Sequence, residues 1–182
     1  MRLRRFLAPA FLFLLFLAGW TACTEYAARQ PEATTATSSG DVETITRVVD
    51  GDTFSTDQSG TIRIIGVDTP ETVKPNAPVD CFGPQASAYA KRRLRKGLTV
   101  TLVAEQRGGQ PDGRKSAQTD RYGRRLAYVY LTDGTFWNLD LVANGYARAR
   151  QYKPNDDHAA EFEAAQAKAK AAGKGLWGAC PA

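Results

Sequence analysis

Carboxylates and arginine collect in one short run of the chain. The stretch VVDGDTFSTDQSGTIRIIGVDTPET, residues 48–72, carries Asp50, Asp52, Asp68 and Glu71, with Arg63 between them. Two β-rich runs flank a polar turn in it, and strands are normally depleted of aspartate. Two carboxylates, a backbone carbonyl and water suit a hard, oxygen-preferring cation such as Ca²⁺ or Mg²⁺. Asp52 and Asp68 are therefore candidate ligands if the C-terminal ends of the two strands bring them to one rim. Glu71 stands three residues past Asp68, after Thr69-Pro70, where it reaches a metal-bound water rather than the metal. Arg63 presents a planar fork that matches two oxygens of a phosphate. Cation, carboxylate base and guanidinium together are the parts for attack of water on a phosphodiester. Turn formation alone explains Asp-Gly and Asp-Thr-Pro, but it does not call for Arg63 and Glu71. An EF-hand calcium loop does not fit. Counted from Asp50, residues Phe54, Ser55 and Thr61 fall where an oxygen ligand, a glycine and a glutamate are needed.

Positioning these groups requires a frame. Residues 44–53 and 61–67 read as strands joined through Asp57-Gln58-Ser59-Gly60, a hairpin-turn composition. Gly83-Pro84 opens a helix over 83–96, which Gly97 ends. Residues 98–104 alternate as a strand, and the polar, glycine-containing stretch 106–120 reads as a mobile loop. A further strand spans 125–131 and turns at Asp133-Gly134. A short helix over 137–144 is closed by Gly145. Residues 146–152 are a strand or extended segment. Residues 156–172 form a long alanine-rich helix with acids early and lysines late, which complements its macrodipole. About five strands with a helix inserted and helices appended predict a small closed β-barrel, mainly β with α elements. An α+β sandwich is the alternative.

The N-terminus predicts export. Arg2, Arg4 and Arg5 precede an apolar run over 6–19, and Cys23 follows. Residues 1–22 read as a secretory signal of the lipoprotein type, with Cys23 as the lipid anchor; ordinary cleavage and an uncleaved anchor are the alternatives. Residues 23–41 have the composition of a flexible tether, which leaves 42–182 as one domain. Of 24 basic residues the signal takes three, leaving 21 against 19 acids. That balance by itself points to no polyanionic partner. Cys81 and Cys180 remain once Cys23 is assigned, and in an exported protein the simplest expectation is that they pair.

The motifs VVDGDTF…TIRIIGVDTPET, DRYGRRLAYVYL and QYKPN, in that order over about 42–177, resemble the staphylococcal nuclease (thermonuclease) family. The resemblance implies an OB-fold five-stranded barrel with inserted and C-terminal helices. It also implies Ca²⁺-dependent hydrolysis of DNA and RNA, with little sequence specificity, to products ending in 3′-phosphate. Carried over by motif, Asp52 and Asp68 match the calcium carboxylates, and Thr69 supplies a backbone carbonyl. Glu71 matches the residue that activates or orients water. Arg63 and Arg124 match the phosphate-binding arginines. Tyr122 and Tyr152 match aromatic groups lining the nucleotide pocket, Asp120 and Arg121 match its rim, and Asp50 supports the metal ligands from behind. The chain departs from the best-known member at Arg150, which stands where that protein has a second tyrosine, and in its longer loop 106–118. Exported, anchored through Cys23 in the cell envelope or secreted, and monomeric, it would meet nucleic acid as substrate and the membrane through its lipid.

Other features carry less. KRRLRK at 91–96 reads either as a patch that tracks phosphates or as a solvated helix face. Tyr128 and Tyr130 are expected in the barrel wall, Trp137 and Trp177 in the core. His158, the single histidine, is expected at the surface, and its solitude excludes histidine-based nuclease chemistry elsewhere. Competing functions are an OB-fold module that binds nucleic acid without cutting and a structural envelope lipoprotein. Neither requires Arg63, Glu71, Arg124, Asp52 and Asp68 together.

Overall fold

The computed structural model describes residues 40–72, 78–106, 119–152 and 155–181. The signal segment 1–22, Cys23, nearly all of the tether and the stretch 107–118 lie outside the described residues. Among the described residues, no helix is long and apolar enough to cross a membrane.

Among the described residues, seven strands and four helices follow one another. Strand β1 is Asp41–Val48, β2 Thr53–Thr56, β3 Gly60–Ile64 and β4 Val67–Asp68; α1 is Gly83–Arg93 and β5 Thr99–Val103. Strand β6 is Arg125–Leu131, α2 Trp137–Ala143, β7 Arg148–Ala149, α3 Ala159–Ala171 and α4 Leu176–Ala179. Five strands close into a barrel in the order β1-β2-β3-β6-β5, the OB fold, and β4 and β7 form a separate antiparallel pair. All neighbours in the barrel are antiparallel except β3 and β6. Strand β1 pairs with both β2 and β5. The register shift between Ile45 and Arg47 gives it the bend that serving two neighbours requires.

The alternation of β-branched and aromatic residues fills this barrel. Ile45, Phe54, Ile62, Ile64, Val100, Leu102, Ala127 and Val129 turn inward and are buried. Helix α2 covers one end with Trp137, Leu141 and Val142, and Phe162 of α3 joins the same core. Asn138, fully buried on α2, takes over where β3 has left β6. Its side-chain oxygen accepts from Val129 N (2.9 Å) and its amide donates to Ile65 O (2.8 Å). One amide thereby satisfies a donor and an acceptor that no strand reaches. The chain leaves β3 through Gly66, whose φ is +77° and whose missing Cβ would lie 2.5 Å from the Phe162 ring. Only glycine fits that turn.

Cys81, ahead of α1, and Cys180, after α4, are joined in a disulfide with a Cα–Cα distance of 5.9 Å. The expectation from the cysteine count holds in the fold.

Several sequence expectations are corrected. The strand predicted over 44–53 is broken, because Val49 N and Asp50 N both donate to Thr53 O and turn the chain between β1 and β2. Helix α1 ends at Arg93, before Gly97, and α3 begins at Ala159, three residues later than expected. Helix α4 was not expected at all. Tyr128 and Trp137 are buried as predicted, whereas Trp177 is half-buried beneath the cations of Arg148 and Lys170. His158 is no free surface residue. Its ring packs against Tyr128 (4.6 Å), Phe136 (4.8 Å) and Phe162, and Nδ1 lies 2.9 Å from Glu161.

Candidate active site

Register alone brings the opening acids to the arginine. In the β2–β3 hairpin Thr53 lies opposite Arg63, and Ile64 N donates to Asp52 O (3.0 Å), so Asp52 neighbours Arg63 across the ladder. Asp52 therefore sits in the turn before β2, not at a strand's C-terminal end, yet the two acids still converge. Arg63 Nη1 lies 3.1 Å from Asp52 Oδ2, and its Nη2 lies 3.3 Å from Asp68 Oδ1.

The carboxylate of Asp52, only 6% exposed as a residue, is held on every side. Oδ2 accepts from Thr69 N (2.9 Å) and Thr69 Oγ1 (3.0 Å), and Oδ1 accepts from Thr53 Oγ1 (3.0 Å). The turn carrying it passes so close to Thr69 that a Cβ on Gly51 would lie 2.5 Å from the threonine methyl. Asp68 ends β4, whose partner β7 delivers a second cation, with Arg150 Nη1 3.0 Å from Asp68 Oδ2. The departure noted at Arg150 thus engages the acidic cluster directly. Asp50 accepts from Asp52 N (3.2 Å). Burial, and after it the negative charge of Asp52, push its carboxyl up to about 7, with Glu71 adding in the same direction.

Glu71 is placed by a closed neck. Its N donates to Asp80 Oδ2 (2.9 Å), its carbonyl accepts from Asp80 N (3.0 Å), and its own Oε1 accepts from Thr72 N (2.9 Å). Asp80 is the positioning residue that sequence reading missed. Its one signal was an acid just before the Gly83-Pro84 helix start, which reads as helix punctuation.

The third motif makes a tight turn. Asp120 Oδ1 accepts from Tyr122 N and Arg124 N, while Oδ2 accepts from Arg124 Nε and Nη2, both 2.7 Å. Burial raises the Asp120 carboxyl, but these hydrogen bonds, those from Arg124 foremost, outweigh it and hold it below the usual range. The exposed Tyr122 ring carries the guanidinium of Arg121 at 4.8 Å and that of Arg124 at 5.4 Å. Between this turn and Arg63 lies a cavity of about 420 Å³, whose walls include Arg63, Asp120, Arg121, Tyr122 and Tyr152. Tyr152 is exposed and has Arg150 over its ring at 5.4 Å. The structure brings Asp50, Asp52, Arg63, Asp68, Thr69 and Glu71 into one group. It brings Asp120, Arg121, Tyr122 and Tyr152 to a pocket beside that group, with Arg124 clasped by Asp120.

Among the described residues, no three acid, histidine or cysteine side chains surround a common point as metal ligands. The chemistry of the donor set nevertheless fits a hard cation. It offers only oxygen, and four acids face two guanidinium groups; after burial, the negative charges of Asp52 and Glu71 add to what raises Asp50.

A model of the staphylococcal nuclease homologue family matches residues 61–179. The chain belongs to the staphylococcal nuclease family. Within it, the chain is similar to the thermonuclease of Staphylococcus hyicus, 42% identical over 136 residues, 73% of each chain. The thermonuclease of Staphylococcus intermedius is 42% identical over 141 residues, 76% of this chain and 77% of that one. Endonuclease YncB of Bacillus subtilis (strain 168) is 36% identical over 138 residues, 74% of this chain and 60% of the relative. The family match covers Arg63, Asp68, Glu71, Arg124 and the pocket tyrosines. Asp50 and Asp52 lie just before its first residue.

Proposed function

We propose that this chain is a Ca²⁺-dependent nuclease that hydrolyses phosphodiester bonds of DNA and RNA with little sequence preference and leaves 3′-phosphate ends. The observation that carries the reading is Arg63. This guanidinium is fixed between two acids at the wall of a cavity lined by exposed tyrosines and arginines. Asp52, Asp68 and the Thr69 carbonyl would hold the cation, with Asp50 behind them. When bound, the ion polarises the phosphate and supplies a water of lowered pKa. The chain's own groups do the rest. Glu71 takes the proton of the attacking water as the water oxygen bonds to phosphorus. The P–O5′ bond breaks, which leaves the phosphate on the 3′ side, and the 5′ oxygen departs as a hydroxyl with a proton from solvent. Arg63 and Arg124 donate paired hydrogen bonds to phosphate oxygens as negative charge grows on them. Tyr122 and Tyr152 offer ring faces to a nucleobase, and Arg121 and Asp120 form the rim. Ring faces and cations, as these walls offer, stack on any base and pair with any phosphate, which supports low specificity. Export, anchoring through Cys23 in the envelope or release as a secreted protein, and action as a monomer complete the proposal.

The experiment is cleavage of single- and double-stranded DNA and RNA by the purified protein, with Ca²⁺ or with chelator, for wild type and Glu71→Gln. Cleavage with Ca²⁺, its loss in chelator, and a fall of about two to four orders of magnitude in the folded variant are expected. Phosphatase treatment of the products identifies their 3′ ends. Full activity in chelator, or in Glu71→Gln, refutes the assignment.

A further inference from the structure

The KRRLRK run lies apart from the pocket. Helix α1 starts at the catalytic loop, where a Cβ on Gly83 would lie 3.0 Å from Glu71 O. Its 11 residues carry the chain about 16 Å away before the run begins to leave the helix. Strand β6 makes the same measure. It starts beside Arg124 and ends at Leu131, about 20 Å on. There Arg92, Arg93 and Arg95 line a cavity of about 180 Å³ with Thr132 and Asp133.

Three guanidinium groups around one small cavity, with Asp133 as the acid in its wall, repel one another unless an anion enters. Complementing the α1 macrodipole accounts for Lys91, Arg92 and Arg93 in the last turn, but Arg95 and Lys96 lie beyond the helix. The cations are also posed. Arg93 Nη2 is held by Asp133 Oδ2 (3.1 Å) and Thr135 Oγ1 (3.2 Å), and Arg92 lies over the Tyr89 ring at 5.8 Å. Arg93 Nε is buried and, among the described residues, has no acceptor. Lys91, Arg92, Arg95 and Lys96 are exposed, and among the described residues none is paired with an acid.

We propose that this cleft at the C-terminal end of α1 is a second phosphate-binding site, which holds the nucleic-acid strand at a distance from the bond being cut. The proposal rests on the nuclease reading for its choice of polyanion. A membrane face is disfavoured because the exposed large apolar side chains, Val42, Val79, Tyr122 and Tyr152, do not belong to α1 or to the strand ends around the cleft. The separation of about 20 Å corresponds to about six nucleotides at the duplex rise of about 3.4 Å each, and to roughly half as many in an extended single strand. A strand shorter than that cannot occupy both places.

The test compares wild type with Arg92→Ala/Arg95→Ala, in chelator, on labelled single-stranded DNA of about two and about thirty nucleotides, across a salt series. Affinity of the variant for the long strand is expected to fall about tenfold at low salt. The slope of log affinity against log salt should drop by about 1.4, at about 0.7 per lost contact. Affinity for the short strand, and its turnover with Ca²⁺, should match wild type. An unchanged long-strand affinity and slope overturns the proposal, as does an equal loss on both lengths. Loss of binding to phosphatidylglycerol vesicles with DNA affinity intact would assign the patch to lipid instead and also overturn it. Should the double alanine lower the melting temperature, Arg92→Gln/Arg95→Gln keeps the stems and carries the same expectation. A wild type that binds with this length dependence but cuts nothing would sink the nuclease reading and leave the second site standing.

Discussion

Reducing the Cys81–Cys180 bond, or replacing both cysteines by serine, removes a cross-link between residues 99 positions apart. In the chain-entropy account a loop of that length is worth about 4.7 kcal/mol, because the unfolded chain regains the freedom that the bond denied it. The native side loses little. Leu176 stays buried, and its N–H still donates to Gly145 O (2.9 Å), so α4 remains docked without the sulfurs. For a domain of this size, about 2–4 °C of melting temperature goes with each kcal/mol, which predicts a fall of about 10–20 °C. The assay is thermal unfolding by circular dichroism of the oxidised protein, the reduced protein and Cys81→Ser/Cys180→Ser. The last two should melt together, well below the first. Cleavage measured well below either transition should be unchanged, since Cys81 Sγ lies against Ala179 O and not, among the described residues, against a site residue. A difference of less than about 3 °C would show that the long loop is already restrained in the unfolded chain, and would refute the reasoning. Two titratable thiols in the protein as purified from an oxidising medium would refute its premise.

Asn138→Ala orphans Val129 N and Ile65 O, both served by that side chain. At about 1–3 kcal/mol for each buried group left unpaired, denaturant melts should show a loss of about 2–6 kcal/mol. A loss below about 1 kcal/mol would mean water replaces the amide. Arg150→Ala removes an ion pair whose arginine is more than half exposed, so stability should move by less than about 1 kcal/mol. Asp68 then keeps only Arg63, and calorimetric titration should find Ca²⁺ bound a few-fold more tightly than by wild type; unchanged or weaker binding argues against Arg150 as a competing counter-ion.

The barrel was legible because its strands alternate and its turns are written in glycine and aspartate: Asp57–Gly60 and Asp133-Gly134 fall where predicted, and β6 matches its expected bounds. The break at Val49–Asp52 was not, since the valines and threonines around it favour a strand, and only two backbone hydrogen bonds to Thr53 O decide otherwise. Asp50, Asp52, Asp68 and Glu71 could be read from residue type, but not the way they are held. Asp80 and Arg150 act through contacts across 9 and 82 positions, a separation at which no local pattern carries a signal. The packing of His158 escaped the sequence because the rings of Tyr128 and Phe136 reach it from far along the chain, while Phe162 stands one helical turn on.

The parallel pairing of β3 with β6 has a kinetic meaning. Arg63 lies on β3 and Arg124 immediately precedes β6, and the registered partners Ile62 and Arg125 are far apart along the chain. The hairpins β1-β2 and β2-β3 form from near neighbours, whereas this seam waits on a long loop closure. The segments that carry Arg63 and Arg124, which we propose bind phosphate, are therefore brought side by side only when this seam of the barrel shuts. A partly folded chain, however rich in strands, holds half a site. Hydrolysis would then appear in a single step, together with the native state, rather than growing in with secondary structure.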